Sequence, residues 1–209
     1  MGNGSRPGPS DPLGNPIAVD DGTLSRIGAP SPTPIGLDAK GGAAKGGGAS
    51  IAEQVVGFAR RRSGDRVGDG ECFALADRAL RGAGAKSAAD FGSVTPDANY
   101  VWGRSVSLSD LRPGDIVQFR DYRYDREVVT QRGRSTSTEE EFQERPHHTA
   151  IVDSVAPGGV VTVIEQTAPP GSAVTRSRLF FTGGTTTSGE TTTTITVQGT
   201  LRFYRAEAR

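Results

Sequence analysis

The chain has 209 residues, equal numbers of basic and acidic side chains, 24 each, and a single cysteine. This length accommodates one domain with a tail, and zero net charge gives no global field for nucleic acid or an anionic membrane. A lone cysteine excludes an internal disulfide framework and a cysteine-rich metal cluster, and no segment reaches the roughly 20 apolar residues that span a bilayer.

The first part of the chain, residues 1–48, is dominated by glycine, proline, serine and alanine. Such a composition buries too little apolar surface to offset the entropy lost on ordering, so we predict a disordered leader. The first residues lack the apolar core of a secretory signal. Localisation therefore stays open between a cytoplasmic protein and one exported by a non-classical route.

Two helices are predicted at the start of the remaining segment, 49–209, which we expect to be one domain. Ser50 and Glu53 have the spacing of a capping box, and an apolar face follows at helical intervals. The second helix is predicted over about 70–81, with Cys72 in its first turn. The partial positive charge of a helix N-terminus favours a thiolate over a thiol there.

The rest of the domain is predicted to be short strands joined by glycine-rich turns. Strands are expected at 116–119, 148–155, 160–166, 174–181 and 193–204. The polar passage 120–145 is expected to be either an extended hairpin or a mobile insertion, and 185–190 a turn. Helices first and strands afterwards indicate an α+β fold, in which N-terminal helices pack on an antiparallel sheet.

Three residues in this order carry side chains suited to nucleophilic catalysis. Cys72 supplies a sulfur, His148 begins an apolar strand and Glu165 ends the next strand. Counted outward from the turn at 157–159, Glu165 lies near the histidine strand but not directly opposite His148. One β-bulge or register step would bring it within reach.

Each of these residues also has an ordinary structural explanation. Cysteine is among the most buried residue types, so Cys72 on an alanine-rich helical stripe is by default a small core residue. His147 and His148 are compatible with the start of a strand, and no third ligand stands at the spacing of a zinc site. Glu165 is compatible with a charged side chain on an edge strand, where the charge discourages aggregation.

Taken together, these motifs resemble the CHAP branch of the NlpC/P60 superfamily, papain-like cysteine amidases and peptidases that mostly act on bacterial cell-wall peptide. The resemblance covers about Ile51 to Tyr204 and rests on Gly70-Glu71-Cys72, 111–119, 148–152 and Glu165-Gln166. It implies a papain-like NlpC/P60 core with Cys72 as nucleophile, His148 as base and Glu165 as orienter. Many relatives carry asparagine two residues after that glutamate, where this chain has Thr167.

The function that this resemblance implies is a cysteine amidase or endopeptidase, foremost on peptidoglycan peptides, acting through a Cys72-His148-Glu165 triad and a thioester. We predict no cofactor and no metal, since helix capping explains the acidic group near Cys72 more simply than a calcium site of the kind found in some relatives, and we predict a peptide or peptidoglycan substrate and a monomeric protein. Two alternatives stay open. In the first, the same triad acts on a peptide outside the cell wall. In the second, the domain is a non-catalytic CHAP-like binding module; Thr167 and the unusual 120–145 passage favour this second alternative.

Overall fold

The computed structural model describes residues 48–209, and the leader predicted over 1–48 lies outside the described residues except for Gly48. Two α-helices come first, α1 (Ile51–Arg61) and α2 (Cys72–Gly82). The strands follow as β1 (Arg104–Val106), β2 (Ile116–Arg132), β3 (Ser135–Ala156), β4 (Val160–Glu165), β5 (Thr175–Phe180), β6 (Gly184–Ser188) and β7 (Thr191–Arg205). None of the described helices has the length and apolar character that a membrane crossing needs.

The strands join in one antiparallel sheet with the order β1-β7-β2-β3-β4-β5, and β6 pairs with a second stretch of β7. The centre of the sheet is the long hairpin of β2 and β3. These strands stay in register from Ile116↔Ile151 to Arg132↔Ser135, where a two-residue turn joins them. The hairpin positions the functional side chains, because β3 carries both histidines.

The prediction of an α+β fold with N-terminal helices packed on the sheet was wrong. Antiparallel sheet dominates the described residues, because the polar passage 120–145 is the outer part of the β2–β3 hairpin. β6 forms within the predicted turn at 185–190. Beyond Tyr124 the side chains of the β2–β3 hairpin are mostly polar and half-buried or exposed, so the sequence there lacks a sustained alternation of apolar and polar residues by which strands are predicted.

The core lies on both faces of the sheet. Residues of α1 and α2 pack with Trp102, Ile116 and Ile151 in one apolar cluster. A second cluster contains Phe119, Val152 and further side chains of β4 and β5. Neighbouring positions of the central strands alternate between the two clusters, as side chains of a strand must.

This alternation breaks at one point in the hairpin. Asp121 adopts a left-handed backbone conformation with φ 52°. Phe119 and Tyr122 are three residues apart, yet both lie in the second cluster, whereas strict alternation would place them on opposite faces. Because Tyr122 pairs with Arg145, the change of face also turns Arg145 toward the side of the sheet that carries His148.

Gly199 on β7 lies against this kink and is expected to be intolerant of a side chain. Its φ is 87°, and an added Cβ would collide with the carbonyl of Asp121. We expect Gly199→Ala to lower the free energy of unfolding in urea by about 1–3 kcal/mol. Gly82→Ala is the matched control, because its methyl would meet no atom. Equal stabilities of the two variants would contradict the prediction.

Candidate active site

Cys72 is the first residue of α2, whose N-terminal end lies against β3. Its side chain is half-buried, and the His148 ring and the backbone N–H of Thr149 lie close enough to lower the pKa of its thiol. A small core residue in an apolar stripe would lack such partners. The structure therefore brings the cysteine and one of the two histidines together, as the order of the motifs predicts.

The position of Glu165 depends on a β-bulge between β3 and β4, which shifts their register by one residue. On the site side of the bulge Ile151 pairs with Ile164, so the next residue, Glu165, lies opposite Ala150. Ala150 and His148 share a face of β3. Without the bulge, Glu165 would lie opposite Ile151 and point to the other face of the sheet.

Glu165 is fully buried between a histidine and an arginine. Its Oε2 is 3.1 Å from His148 Nε2, but the approach is poorly aligned, so Nε2 has no hydrogen-bond partner. Arg145 donates to both carboxylate oxygens, from Nε to Oε2 at 2.9 Å and from Nη2 to Oε1 at 2.6 Å. The carboxylate is thus held firmly by the arginine and contacts the histidine from the side.

Arg145 is a site residue that the motifs in the sequence do not indicate. It lies three residues before His148, a spacing that puts two side chains on opposite faces of a regular strand. The side chains of Arg145 and His148 both reach Glu165 only because the alternation of faces breaks at Asp121. The signal in the sequence that could have indicated it is Glu165 itself, because a carboxylate that is buried at the end of an apolar strand requires a partner in the protein interior.

The buried groups shift one another's pKa values. Burial raises the pKa of Glu165, but the nearby His148 ring and the two hydrogen bonds from Arg145 outweigh it and lower the value to about 2. Burial lowers the pKa of His148, while Cys72 and Glu165 raise it, with a net value of about 9. Burial raises the pKa of the Cys72 thiol, but His148 and the Thr149 N–H lower it further than burial raises it. The lowered pKa of the thiol and the raised pKa of the imidazole both act in the direction of a thiolate–imidazolium pair.

A polar clamp holds the loop before Cys72 on the end of β4. Gln166 is fully buried; its Oε1 accepts from the Val67 N–H at 2.6 Å, and its Nε2 donates to the carbonyls of Val67 and Glu71, each at 3.0 Å. Thr167 donates to the carbonyl of Gly70. The two residues after Glu165 thus fix where α2 begins and where the sulfur lies.

His147 is directed away from this cluster. Its Nε2 is 2.8 Å from the carbonyl oxygen of Ala98, and its ring packs against Tyr100 with 5.5 Å between ring centroids. Of the two histidines, only His148 therefore lies beside the cysteine, because neighbouring residues of a strand point to opposite faces.

Comparison with known proteins identifies one family. The model of the AIM3/BBC1 cysteine proteinase-fold domain matches residues 45–190, a range that includes Cys72, His148 and Glu165 and ends before β7. No curated protein and no solved structure matches the chain. The match supports the broader part of the prediction, a papain-like cysteine proteinase fold, without singling out the CHAP branch.

Proposed function

This chain belongs to the AIM3/BBC1 family of cysteine proteinase-fold domains, and from that membership we propose that it is a cysteine peptidase or amidase. The observation that carries the proposal is the position of the half-buried Cys72 thiol beside the buried His148, where each shifts the pKa of the other, with Glu165 Oε2 3.1 Å from His148 Nε2. A sulfur with a lowered pKa next to an imidazole is the arrangement that nucleophilic catalysis requires.

The proposed reaction begins with a thiolate at Cys72, whose proton His148 holds. The sulfur attacks the amide carbonyl, and the backbone N–H of Cys72 at the helix start stabilises the oxyanion; one such donor contributes roughly 3 kcal/mol. His148 then donates its proton to the leaving amine, which leaves a thioester. Water, deprotonated by the same imidazole, hydrolyses the thioester. Glu165 keeps the imidazolium charged and oriented.

For the substrate, we propose an amide bond of a peptide, with peptidoglycan peptide as one of two classes. The resemblance of the motifs around Cys72 and His148 to the CHAP branch supports the cell-wall class. The family description names a proteinase fold and no substrate, so peptides from outside the cell wall form the second class. Each class is testable with the same purified protein.

A second candidate function is a non-catalytic binding module. It is favoured by the way Arg145 occupies both oxygens of Glu165 while His148 Nε2 approaches the carboxylate without an aligned hydrogen bond. A carboxylate committed to an arginine orients the imidazole less strictly than one that accepts its N–H. This difference distinguishes the cluster from a triad in which the histidine is the only partner.

Hydrolysis by the full chain and its Cys72→Ala variant tests the proposal. We expect new amino termini, detected by mass spectrometry, when the wild-type chain is incubated with purified sacculi or with a mixed peptide library. The variant should yield none, because no thioester can form. Equal cleavage by both proteins would contradict the proposed nucleophile, and no cleavage of either substrate would favour the binding module.

A further inference from the structure

The outer edge of β3 is unpaired over most of its length. β3 spans Ser135–Ala156, but β4 pairs only with Ile151–Ala156. In the part of the chain that the structure describes, no strand pairs with the outer side of 135–150. A strand edge of this length presents backbone N–H and C=O groups to which another chain can add.

The turn at the tip of the hairpin determines which backbone groups face outward. Gly133 and Arg134 connect Arg132 to Ser135, and the residues that flank a two-residue turn form a hydrogen-bonded pair. Counted from Ser135, the even-numbered residues from 136 to 144 direct their N–H and C=O groups away from β2. An added strand would therefore find a pairing site at every second residue.

The same edge leads to the candidate active site. Beyond the kink, α2, which begins at Cys72, packs against β3, and the Thr149 N–H lies close enough to lower the pKa of the Cys72 thiol, so the sulfur lies beside this strand. The five residue-to-residue steps from Glu144 to Thr149 span about 16 Å in an extended strand. A peptide of about ten residues that pairs with 136–144 would thus run toward the sulfur.

The edge is acidic. Its segment 135–144 contains no lysine or arginine and four glutamates, namely Glu139, Glu140, Glu141 and Glu144. Glu141 and Glu144 each have an arginine of β2 nearby, at 3.6 and 3.9 Å. Glu139 and Glu140 form no ion pair with any described residue. Two such edges repel each other, which disfavours a second copy of this chain, whereas basic side chains are complementary to the edge.

We propose that the free edge of β3 binds the substrate as an added strand, and that the substrate is an extended L-peptide with basic side chains. This inference rests on the proposed hydrolysis at Cys72 and adds a substrate class to it. Phe142, 56% exposed on the same segment, offers an apolar contact to the added strand.

Binding of a labelled (Lys-Thr)5 peptide to the full chain carrying Cys72→Ala tests the proposal without cleavage. We expect fluorescence anisotropy to report binding that weakens with salt, and no binding of (Glu-Thr)5. Glu140→Gln removes one charge, and Glu140→Pro removes in addition one outward N–H without loss of pairing to β2. We expect the proline variant to bind at least tenfold more weakly than the glutamine variant.

Amide hydrogen exchange adds a signature of strand pairing. On binding, the N–H groups of the even-numbered residues 136–144 should become protected, while those of odd-numbered residues, already bonded to β2, should change little. The proposal would be overturned if both Glu140 variants bound the peptide equally well and had unchanged melting temperatures. It would also be overturned if the peptide protected N–H groups elsewhere in the chain, or if the chain associated with itself. If the Cys72 thiol of the wild-type chain proved unreactive while the Cys72→Ala chain still bound the peptide as an added strand, only the proposed hydrolysis would be contradicted.

Discussion

The Arg145→Met variant is expected to have a free energy of unfolding about 3–5 kcal/mol below that of the wild-type chain, because removal of one partner of a buried ion pair leaves an uncompensated charge. Arg145 donates to Glu165 at 2.9 and 2.6 Å, and both residues are buried. Methionine keeps much of the volume and none of the charge. Urea denaturation at pH 7 measures the difference.

An exposed ion pair provides the matched control for this loss. Arg81 donates to Asp77 at 2.7 Å across one turn of α2, and we expect Arg81→Met to cost less than about 0.5 kcal/mol. The double variant Arg145→Met/Glu165→Leu should recover part of the stability, because no buried charge is left. Similar losses for Arg145→Met and Arg81→Met would contradict the interpretation of the buried pair.

The Arg145→Met variant should also be less stable in acid than the wild-type chain. The pKa of Glu165 is lowered from 4.5 to about 2, so its contribution to stability is present above pH 4.5 and is lost as the pH falls toward 2. Without Arg145 the pKa of this carboxylate is lowered less, so the variant should begin to unfold at a higher pH. Thermal melts between pH 2 and 6 would show this.

We expect the Cys72 thiol of the wild-type chain at pH 6 to react with iodoacetamide roughly tenfold to a hundredfold faster than the same thiol in the His148→Ala variant. His148 lowers the pKa of Cys72, whereas burial alone raises it. An unperturbed thiol is about 0.3% ionised at pH 6, and the lower nucleophilicity of a low-pKa thiolate reduces the advantage of full ionisation. Mass spectrometry of the alkylated protein gives the rates.

The shape of the pH profile separates this effect from a change in accessibility. The pKa of His148 is raised from 6.5 to about 9, so the imidazole should stay charged and keep the thiol pKa lowered until the pH approaches 9, and the wild-type rate should reach its plateau at a lower pH than the rate of His148→Ala. The rate of His148→Ala should rise steadily over this range. His147→Ala is the control and should keep the wild-type profile, because its ring contacts Ala98. Identical profiles for His148→Ala and wild type would rule out the thiolate pair.

The local features of this protein were predictable because they depend on residues that are close together in the chain. The capping box of α1 is present, with the Ser50 N–H 2.7 Å from Glu53 Oε2 and the Glu53 N–H donating to the Ser50 hydroxyl at 3.3 Å. Cys72 lies in the first turn of α2 as expected, and β4 and β5 are within one residue of the predicted bounds. Such features depend on interactions over one helical turn or on a short apolar run bounded by turns.

The outer hairpin and the change of face at Asp121 were not predictable in this way. Strands with two polar faces show no apolar period, so the 120–145 passage was compatible with a hairpin or an insertion, and the fold class was wrong. A left-handed residue in the middle of a strand changes the direction of every side chain after it. The partnership of Arg145 with Glu165 is a consequence of that single conformation.

By itself, the sequence determined which side chains are chemically able to act, because a lone cysteine at a helix start and a histidine before an apolar strand are local patterns. Only the tertiary structure decided how these groups meet. A one-residue bulge aims Glu165 at His148, a backbone kink adds Arg145, and the buried clamp of Gln166 fixes the sulfur. These outcomes depend on the pairing of distant strands, in which a shift of one residue reverses the face on which a side chain lies.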